Sequence, residues 1–380
     1  MTNQSPRARA LETIRNWIAS GELKPGGVLP PERELATRLD VSLGSIQRAL
    51  RVLEDEGTLD RHGTRTRTVA QKAPITPGLL DGAVLVMSDC TSMNADPDAY
   101  GWAGYVTSGI LSALSAQKIH AMVLDPRGLD LSQLDRMLSS GAGGLIVPEV
   151  EIPGSHPEIW AAHARAVGVP VVLFGDELGC ETFDRVVPDH EAGAYELTRW
   201  LLSTGRQAIR MLNNYEKPSR WALERRAGYE RALREAGHEP LPPIFCPEGQ
   251  FPGLSAEAIF QAQSQSVAGA LLPILSQGQP LDAIMAITDG SVFAAIAGLK
   301  LLGKTPNRDV AVVGYDDYWD QSQERLFEPT PPLATVNKRN VEIGRELVKM
   351  LLDRHDGHLP SEPQRKMVAP VLKVRGETSL

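Results

Sequence analysis

Val41-Ser42-Leu43-Gly44-Ser45-Ile46-Gln47-Arg48-Ala49-Leu50-Arg51-Val52-Leu53, closed by Gly57, decides how the N-terminal segment folds. Ser42 is a good helix N-cap, because its hydroxyl can accept from a free amide of the first turn. Ile46, Leu50 and Leu53 then recur on one helical face, which must be buried. Upstream, Pro31-Glu32-Arg33-Glu34-Leu35 predicts a second short helix running through Leu39. Before that, Leu11, Ile14, Trp17 and Ile18 predict a helix over residues 8–20, ended by Gly21 and Pro25-Gly26-Gly27. Downstream, residues 58–61 and 65–69 are short β-prone runs around His62-Gly63-Thr64 and read as a hairpin. Three helices and a basic hairpin make a winged helix-turn-helix.

Charge is divided along the chain. The 380 residues carry a net charge of −8, yet residues 1–72 hold 12 Lys and Arg against 9 Asp and Glu, whereas the rest hold 27 against 38. A small Arg-rich module on an acidic body is the asymmetry expected when one region meets phosphate and the other does not. Residues 70–82, with two prolines and two glycines, read as a linker. Three widely spaced cysteines, Cys90, Cys180 and Cys246, support neither a disulfide framework nor a cysteine zinc site. A cytoplasmic location is the expectation, since no apolar leader is visible and the long uncharged stretches, 99–117 and 258–281, are interrupted by polar residues and glycine.

From residue 83 the pattern becomes alternating strand and helix. Apolar runs at 83–87, 121–124, 144–147 and 169–174 alternate with helical segments at 105–116 and 131–139. The alternation begins again with helices at 195–202, 220–236, 256–264 and 292–301 and strands at 209–212, 244–246, 283–287 and 310–313. This predicts two doubly wound parallel sheets of similar size, followed by a helix at 341–352 and a Pro-punctuated tail. The expected fold class is therefore α/β, and the expected domains are 1–70, a linker at 71–82, and 83–380.

The first segment, from Gly21 through Pro31-Glu32-Arg33-Glu34-Leu35 to Leu53-Glu54-Asp55-Glu56-Gly57, resembles the GntR-type DNA-binding domain over about 60 residues. The resemblance implies that Arg33, Ser42, Ser45, Gln47 and Arg48 meet DNA at the recognition helix and its neighbour, and that His62, Gly63 and Arg65 lie at the wing. Leu43 stands where that family usually has Arg, and Arg65 where a second wing glycine is common, which puts the operator sequence in doubt more than DNA binding.

The second segment carries Val187-Pro188-Asp189-His190-Glu191-Ala192-Gly193, Arg225-Arg226-Ala227-Gly228-Tyr229, Ala286-Ile287-Thr288-Asp289-Gly290, Gly314-Tyr315-Asp316-Asp317 and Pro332-Leu333-Ala334-Thr335-Val336. In this order they resemble the effector domain of LacI-type regulators, related to periplasmic sugar-binding proteins. That resemblance implies a type I two-lobed fold, hinged by crossover strands, with a ligand in the cleft. It implies an arabinose-repressor-like layout, although no LacI head or hinge helix is present. It points to Arg225, Phe251, Asp316, Thr288 and Asp289 as effector contacts, with Asp89 and Trp221 behind them and Glu149 and Asp176 loosely aligned. A guanidinium fork suits vicinal hydroxyls or a carboxylate, and a carboxylate accepts hydroxyl protons.

The expected function is a repressor that binds a palindromic operator as a homodimer and responds to a small polar effector, a sugar or sugar derivative. No cofactor or metal is expected. Gly141-Ala142-Gly143-Gly144 precedes a strand, so it is not a dinucleotide fingerprint. No G-x-S-x-G motif occurs, and the one G-x-x-x-x-G-K-[ST] match, Gly298–Thr305, begins inside the predicted 292–301 helix and not at the strand-to-helix turn a phosphate loop needs. His355-Asp356-Gly357-His358 has no third ligand nearby in sequence. The alternatives are a doubly wound enzyme using the same cleft, and a solute-binding protein serving a transporter.

Overall fold

The computed structural model describes residues 6–19, 22–24, 26–55, 58–62, 66–69, 82–88, 102–126, 129–147, 157–175, 179–214, 219–247 and 253–375. The chain divides into two units, Met1–Gly78 and Leu79–Leu380. The linker expected at 71–82 lies outside the described residues except for Gly82.

In the first unit, α1 (Pro6–Ala19), α2 (Glu32–Leu39) and α3 (Leu43–Asp55) precede β1 (Leu59–His62) and β2 (Thr66–Val69). Ile14 and Leu35 meet the expected α3 face, Ile46, Leu50 and Leu53, in one core with Leu29, Leu59 and Val69. The hairpin pairs Leu59 with Val69 and His62 with Thr66. Chain from the turn after α1 adds to its edge, with Leu29 N–H donating to Arg67 C=O at 2.8 Å and Val69 N–H to Gly27 C=O at 2.8 Å. The winged helix-turn-helix expectation holds.

The second unit contains two lobes. The first begins with β3 (Val84–Met87), α4 (Trp102–Ala116), β4 (Ala121–Leu124), α5 (Leu131–Ser139), β5 (Gly144–Val147), α6 (Pro157–Ala166), β6 (Val171–Phe174) and β7 (Asp184–Pro188). The second contains α7 (His190–Ser203), β8 (Ile209–Asn213), α8 (Arg220–Glu235), β9 (Ile244–Phe245), α9 (Ala256–Ser276), β10 (Ala283–Ala286), α10 (Gly290–Leu301), β11 (Ala311–Val313) and β12 (Ala334–Asn337). The chain then returns through α11 (Asn340–His355) and β13 (Arg365–Val368) to the first lobe, and ends in β14 (Val371–Val374) on the second.

Side-chain alternation explains the layering. Val84 and Val86 point to one side of the first sheet, against Ile110 and Leu114 of α4 and Leu347 of α11. Leu85 and Met87 point to the other, against Leu134, Leu138 and Trp160. Strands buried on both faces are the mark of a parallel sheet covered by helices. The second sheet repeats the arrangement: Met211, Met285 and Val313 pack under α7 and α8, whereas Leu212, Ile284 and Val312 pack under α9 and α10.

The two sheets are less alike than the sequence suggests. The first has six strands in the order β13-β7-β6-β5-β3-β4, and the second has four, β11-β10-β8-β9, beside a β12-β14 pair. The difference comes from β7, β13 and β14. The tail supplies two of them, β13 parallel to β7 and β14 antiparallel to β12. Such edge strands are selected by partners distant in sequence, which local periodicity cannot reveal. Helix α9 also runs on to Ser276, beyond the expected end at 264, because Val267 and Leu271 continue its buried face.

The Arg225-x-x-Gly228-Tyr229 spacing has a packing origin. Tyr229 is buried and its hydroxyl donates to Ile209 C=O at 2.8 Å. Gly228 lets α8 touch α7, since a Cβ there would lie 2.1 Å from Glu191 O and 2.9 Å from Tyr195 N. Gly228→Ala is expected to force the two helices apart and destabilise the second unit by about 1–3 kcal/mol. Thermal unfolding checks this, and an unchanged midpoint would contradict the close-approach argument.

Candidate effector cleft and nucleic-acid interface

On the first unit, Ser42 caps α3 as expected: its Oγ accepts from Ser45 N–H at 3.3 Å. Gln47 and Arg48 are exposed on α3, and Arg33 is exposed on α2. Ser45 departs from the expectation. It is only 5% exposed, and its hydroxyl shares a 2.9 Å hydrogen bond with Ser42 Oγ, so it completes the cap and is not presented to a base edge. Gln47 already donates to Glu32 at 2.9 Å, and Arg67 joins Glu32 at 2.6 Å while also pairing with Glu54. The Gln47 hydrogen bond, against burial and helped by Arg67, holds the Glu32 carboxyl below its usual range. Arg67 is therefore neutralised internally, and Arg33, Arg48 and Arg51 are basic groups that α2 and α3 leave exposed. Of the wing residues, His62 ends β1, and Gly63 and Arg65 lie outside the described residues.

On the second unit, the C-terminal ends of β10 and β11 converge on Arg225. The residue is 2% exposed, and each of its three guanidinium nitrogens makes a hydrogen bond. Its Nη2 meets Asp316 Oδ1 at 2.8 Å, its Nη1 donates to Ile287 C=O at 2.5 Å, and its Nε donates to His190 Nδ1 at 3.3 Å. Tyr315 and Trp221 flank it, with the guanidinium carbon 3.7 Å and 4.5 Å from their ring centres. Lys338 brings a second cation to Asp316 Oδ1, at 3.0 Å. Burial, followed by the charges of Arg225 and Lys338, holds His190 well below the ordinary imidazole value, so it is neutral and accepts from Arg225.

Asp289 sits behind this cluster, wholly buried. Its carboxylate accepts from Thr335 Oγ1 at 2.8 Å and from Tyr318 N–H at 3.0 Å. A Cβ on Gly314 would fall 2.0 Å from its Oδ1, so only glycine leaves room for it. Burial pushes Asp289 up to about 7, the nearby Asp316 charge adds to this, and its two hydrogen bonds oppose it. Asp289 thus braces the turn that carries Asp316.

The expected effector residues are therefore sorted by the structure. Arg225, Trp221 and Asp316 come together; Thr288 is half-buried on the same strand end; Asp289 faces the supporting turn. Phe251, Asp89, Glu149 and Asp176 lie outside the described residues. Sequence reading missed His190, Tyr315 and Lys338 as members of the cluster. His190 and Tyr315 stand inside motifs already noted, beside Asp189 and Asp316, whereas no spacing signal marks Lys338. The arrangement offers donors and acceptors already matched to one another, which suits recognition of a polar ligand.

Residues 6–69 match the family described as bacterial regulatory proteins, gntR family, and residues 198–378 match the periplasmic binding protein-like domain. The chain joins a GntR-type head to a periplasmic-binding-protein-like body. The body is similar to the HTH-type transcriptional regulator CelR of Thermobifida fusca, 31% identical over 210 residues that make up 55% of this chain and 56% of that one. It is also similar to the HTH-type transcriptional repressor PurR of Haemophilus influenzae (strain PittEE), 26% identical over 54% of this chain and 56% of that one. The matched region thus spans little more than half the length of these curated relatives.

Among solved structures, the transcriptional regulator CelR-cellobiose complex shares the fold at TM-score 0.58 and 23% identity, over 88% of this chain and 91% of that one. A LacI family regulator from Enterococcus faecium with bound ribose superposes at TM-score 0.54 and 20% identity, over 77% and 96%. The lac repressor dimer bound to operator and an anti-inducer does so at 0.56 and 19%, over 80% and 96%. Among the described residues, no helix is long and apolar enough to cross a membrane.

The Asp289 environment sets a pH dependence. The folded carboxyl keeps its proton to about pH 7, whereas an unfolded one loses it near 3.8. Between those values the folded state binds more protons, so Asp289 makes stability fall as pH rises through the window. Asp289→Asn should remove that contribution. Denaturant unfolding of both proteins at intervals from about pH 4.5 to 7.5 checks this: their stability difference should change steadily with pH, and parallel curves would contradict it.

Proposed function

We propose that the chain is a ligand-responsive, DNA-binding transcription regulator, a repressor of a sugar-utilisation operon. It binds a palindromic operator as a homodimer and takes a small polar effector, a sugar or sugar derivative, at the strand ends around Arg225 and Asp316. The observation that carries this reading is the pairing, in one chain, of a GntR-type head exposing Arg48 on a capped helix with a body that gathers Arg225, Asp316, His190 and Lys338. The sugars bound by the CelR and Enterococcus faecium structures support the effector class. We read the head as 1–70, the linker as 71–82 and the body as 83–380, acting without enzymatic chemistry in the cytoplasm.

In this reading the N-terminal half of α3, with its cap Ser42 and with Gln47 and Arg48, approaches base edges while Arg33 approaches the backbone. Two heads address half-sites about one helical turn apart or a multiple of it. Linkage supplies the switch: the effector stabilises one lobe arrangement, and a coupling of about 1–3 kcal/mol suffices.

Fluorescence anisotropy with a random-sequence duplex should show binding that weakens steeply between about 50 and 200 mM salt. Arg48→Ala should weaken binding to a selected operator and leave the body untouched; equal binding by the variant would remove α3 from the interface. A thermal-shift screen against sugars, sugar phosphates, nucleosides and organic acids should find a stabiliser. A ligand at about 100 times its Kd adds about 2.7 kcal/mol. Arg225→Ala should abolish that shift while DNA binding persists, and an unchanged shift would place the effector elsewhere.

A further inference from the structure

Two consecutive carboxylates follow β11, and they face different partners. Asp316 and Asp317 both have positive φ, 109° and 57°. An L-residue adopts this backbone at a cost, and Asp or Asn tolerates it better than most. The turn is held from outside. Gly314 N–H donates to Ala334 C=O at 3.0 Å and Asp316 N–H to Val336 C=O at 2.9 Å, so it is stitched to β12. Asp289 grips its far end through Tyr318 N–H.

The conformation sends the two side chains to different segments. Asp316 takes Arg225 and Lys338. Asp317 takes Arg375 at 2.7 Å, Asn337 Nδ2 at 2.6 Å and, more loosely, Lys373 at 3.9 Å. Arg375 continues to Asp320 at 2.8 Å and its backbone N–H donates to Leu333 C=O at 2.8 Å.

Apart from Arg225, which is on α8, these partners lie on or just beyond the chain segments that pass between the lobes. The chain crosses after β7 at 188–190, after β12 at 337–340, and after β13 at 368–371. His190, held to Arg225, opens the helix after the first crossing; Asn337 and Lys338 begin the second; Lys373 and Arg375 follow the third. One dipeptide therefore ties the cleft cations to every crossing.

We propose that Asp317 is a positioning residue that couples Asp316 in the cleft to the crossover strands, so that a ligand drawing on Asp316 alters the grip on Asn337 and Arg375. A rigid turn two residues long is the physical link: Asp316 cannot swing about its backbone without reorienting Asp317. The inference rests on reading this cleft as the effector site. Its test needs no effector, so it can fail while that reading stands, and the thermal-shift result can fail while this one stands.

The test is hydrogen–deuterium exchange on the full chain for Asp316→Asn, Asp317→Asn and Arg375→Lys. Asparagine keeps the backbone preference at both turn positions and removes only the charge. Asp316→Asn, although Asp316 touches neither Asn337 nor Arg375 with its side chain, is expected to raise exchange at Val371–Val374 at least about threefold. Asp317→Asn and Arg375→Lys are expected to raise it both there and in the segment holding Lys338 and the first turns of α8, with β3 unchanged. Effects confined to each mutated side would overturn the coupling. So would a uniform rise that includes β3 in both Asp317→Asn and Arg375→Lys, because the pair would then serve only global stability.

Discussion

A guanidinium that is 2% exposed has to be paired, and the organisation of the second lobe follows from how Arg225 is paired. Its partners come from three places: the end of β10 through Ile287, the turn after β11 through Asp316 and the ring of Tyr315, and the start of α7 through His190. Removing one member of a buried ionic group leaves the others desolvated and uncompensated, which costs several kcal/mol, whereas the intact group contributes little net stability. Such a cluster defines a geometry more than it stabilises a fold. That is the property a ligand site needs, because its donors and acceptors are fixed before the ligand arrives.

Around this cluster the supporting shell is unusually polar for a core. Asp289 is buried with no cation paired to it among the described residues, and the hydroxyl of Thr335 and the amide of Tyr318 orient it. Gly314 has no side chain because Asp289 occupies the space. Gly228 has the same role between the helices, where α8 must approach α7 closely enough for Arg225 to reach the strand ends. The motifs legible in the sequence are thus pairs of one functional residue and the small residue that makes room for it.

Much of the fold is legible in local sequence signals. The head is legible because capping by Ser42 and the Ile46, Leu50, Leu53 face are local, and local signals decide helices. The central strands are legible because burial on both faces makes continuous apolar runs, as at Val84–Met87 and Ala283–Ala286. Strand β7 is not, since Asp184 and Arg185 interrupt its apolar run, and β13 and β14 are not, since each is chosen by a distant partner. In the site, Arg225 and Asp316 are marked by their motifs. Ser45 is misassigned by sequence because spacing alone does not tell the cap-facing side of a first helical turn from the solvent-facing one. Lys338 follows a recognisable stretch but carries no pattern itself, and only the return of the chain from β12 brings it to Asp316.

The head and the body are each accounted for by their own cores, and in the function proposed above what joins them into one regulator is energetic linkage between DNA on one and a small molecule on the other. Linkage is reciprocal: a ligand that changes DNA affinity by some factor has its own affinity changed by the same factor. The most direct measurement is therefore a closed cycle, with operator affinity determined with and without the stabilising ligand, and ligand affinity determined with and without operator. The account predicts equal factors, on the order of 5–150, along both sides of the cycle. A ligand that binds at Arg225 and leaves operator affinity unchanged would contradict it.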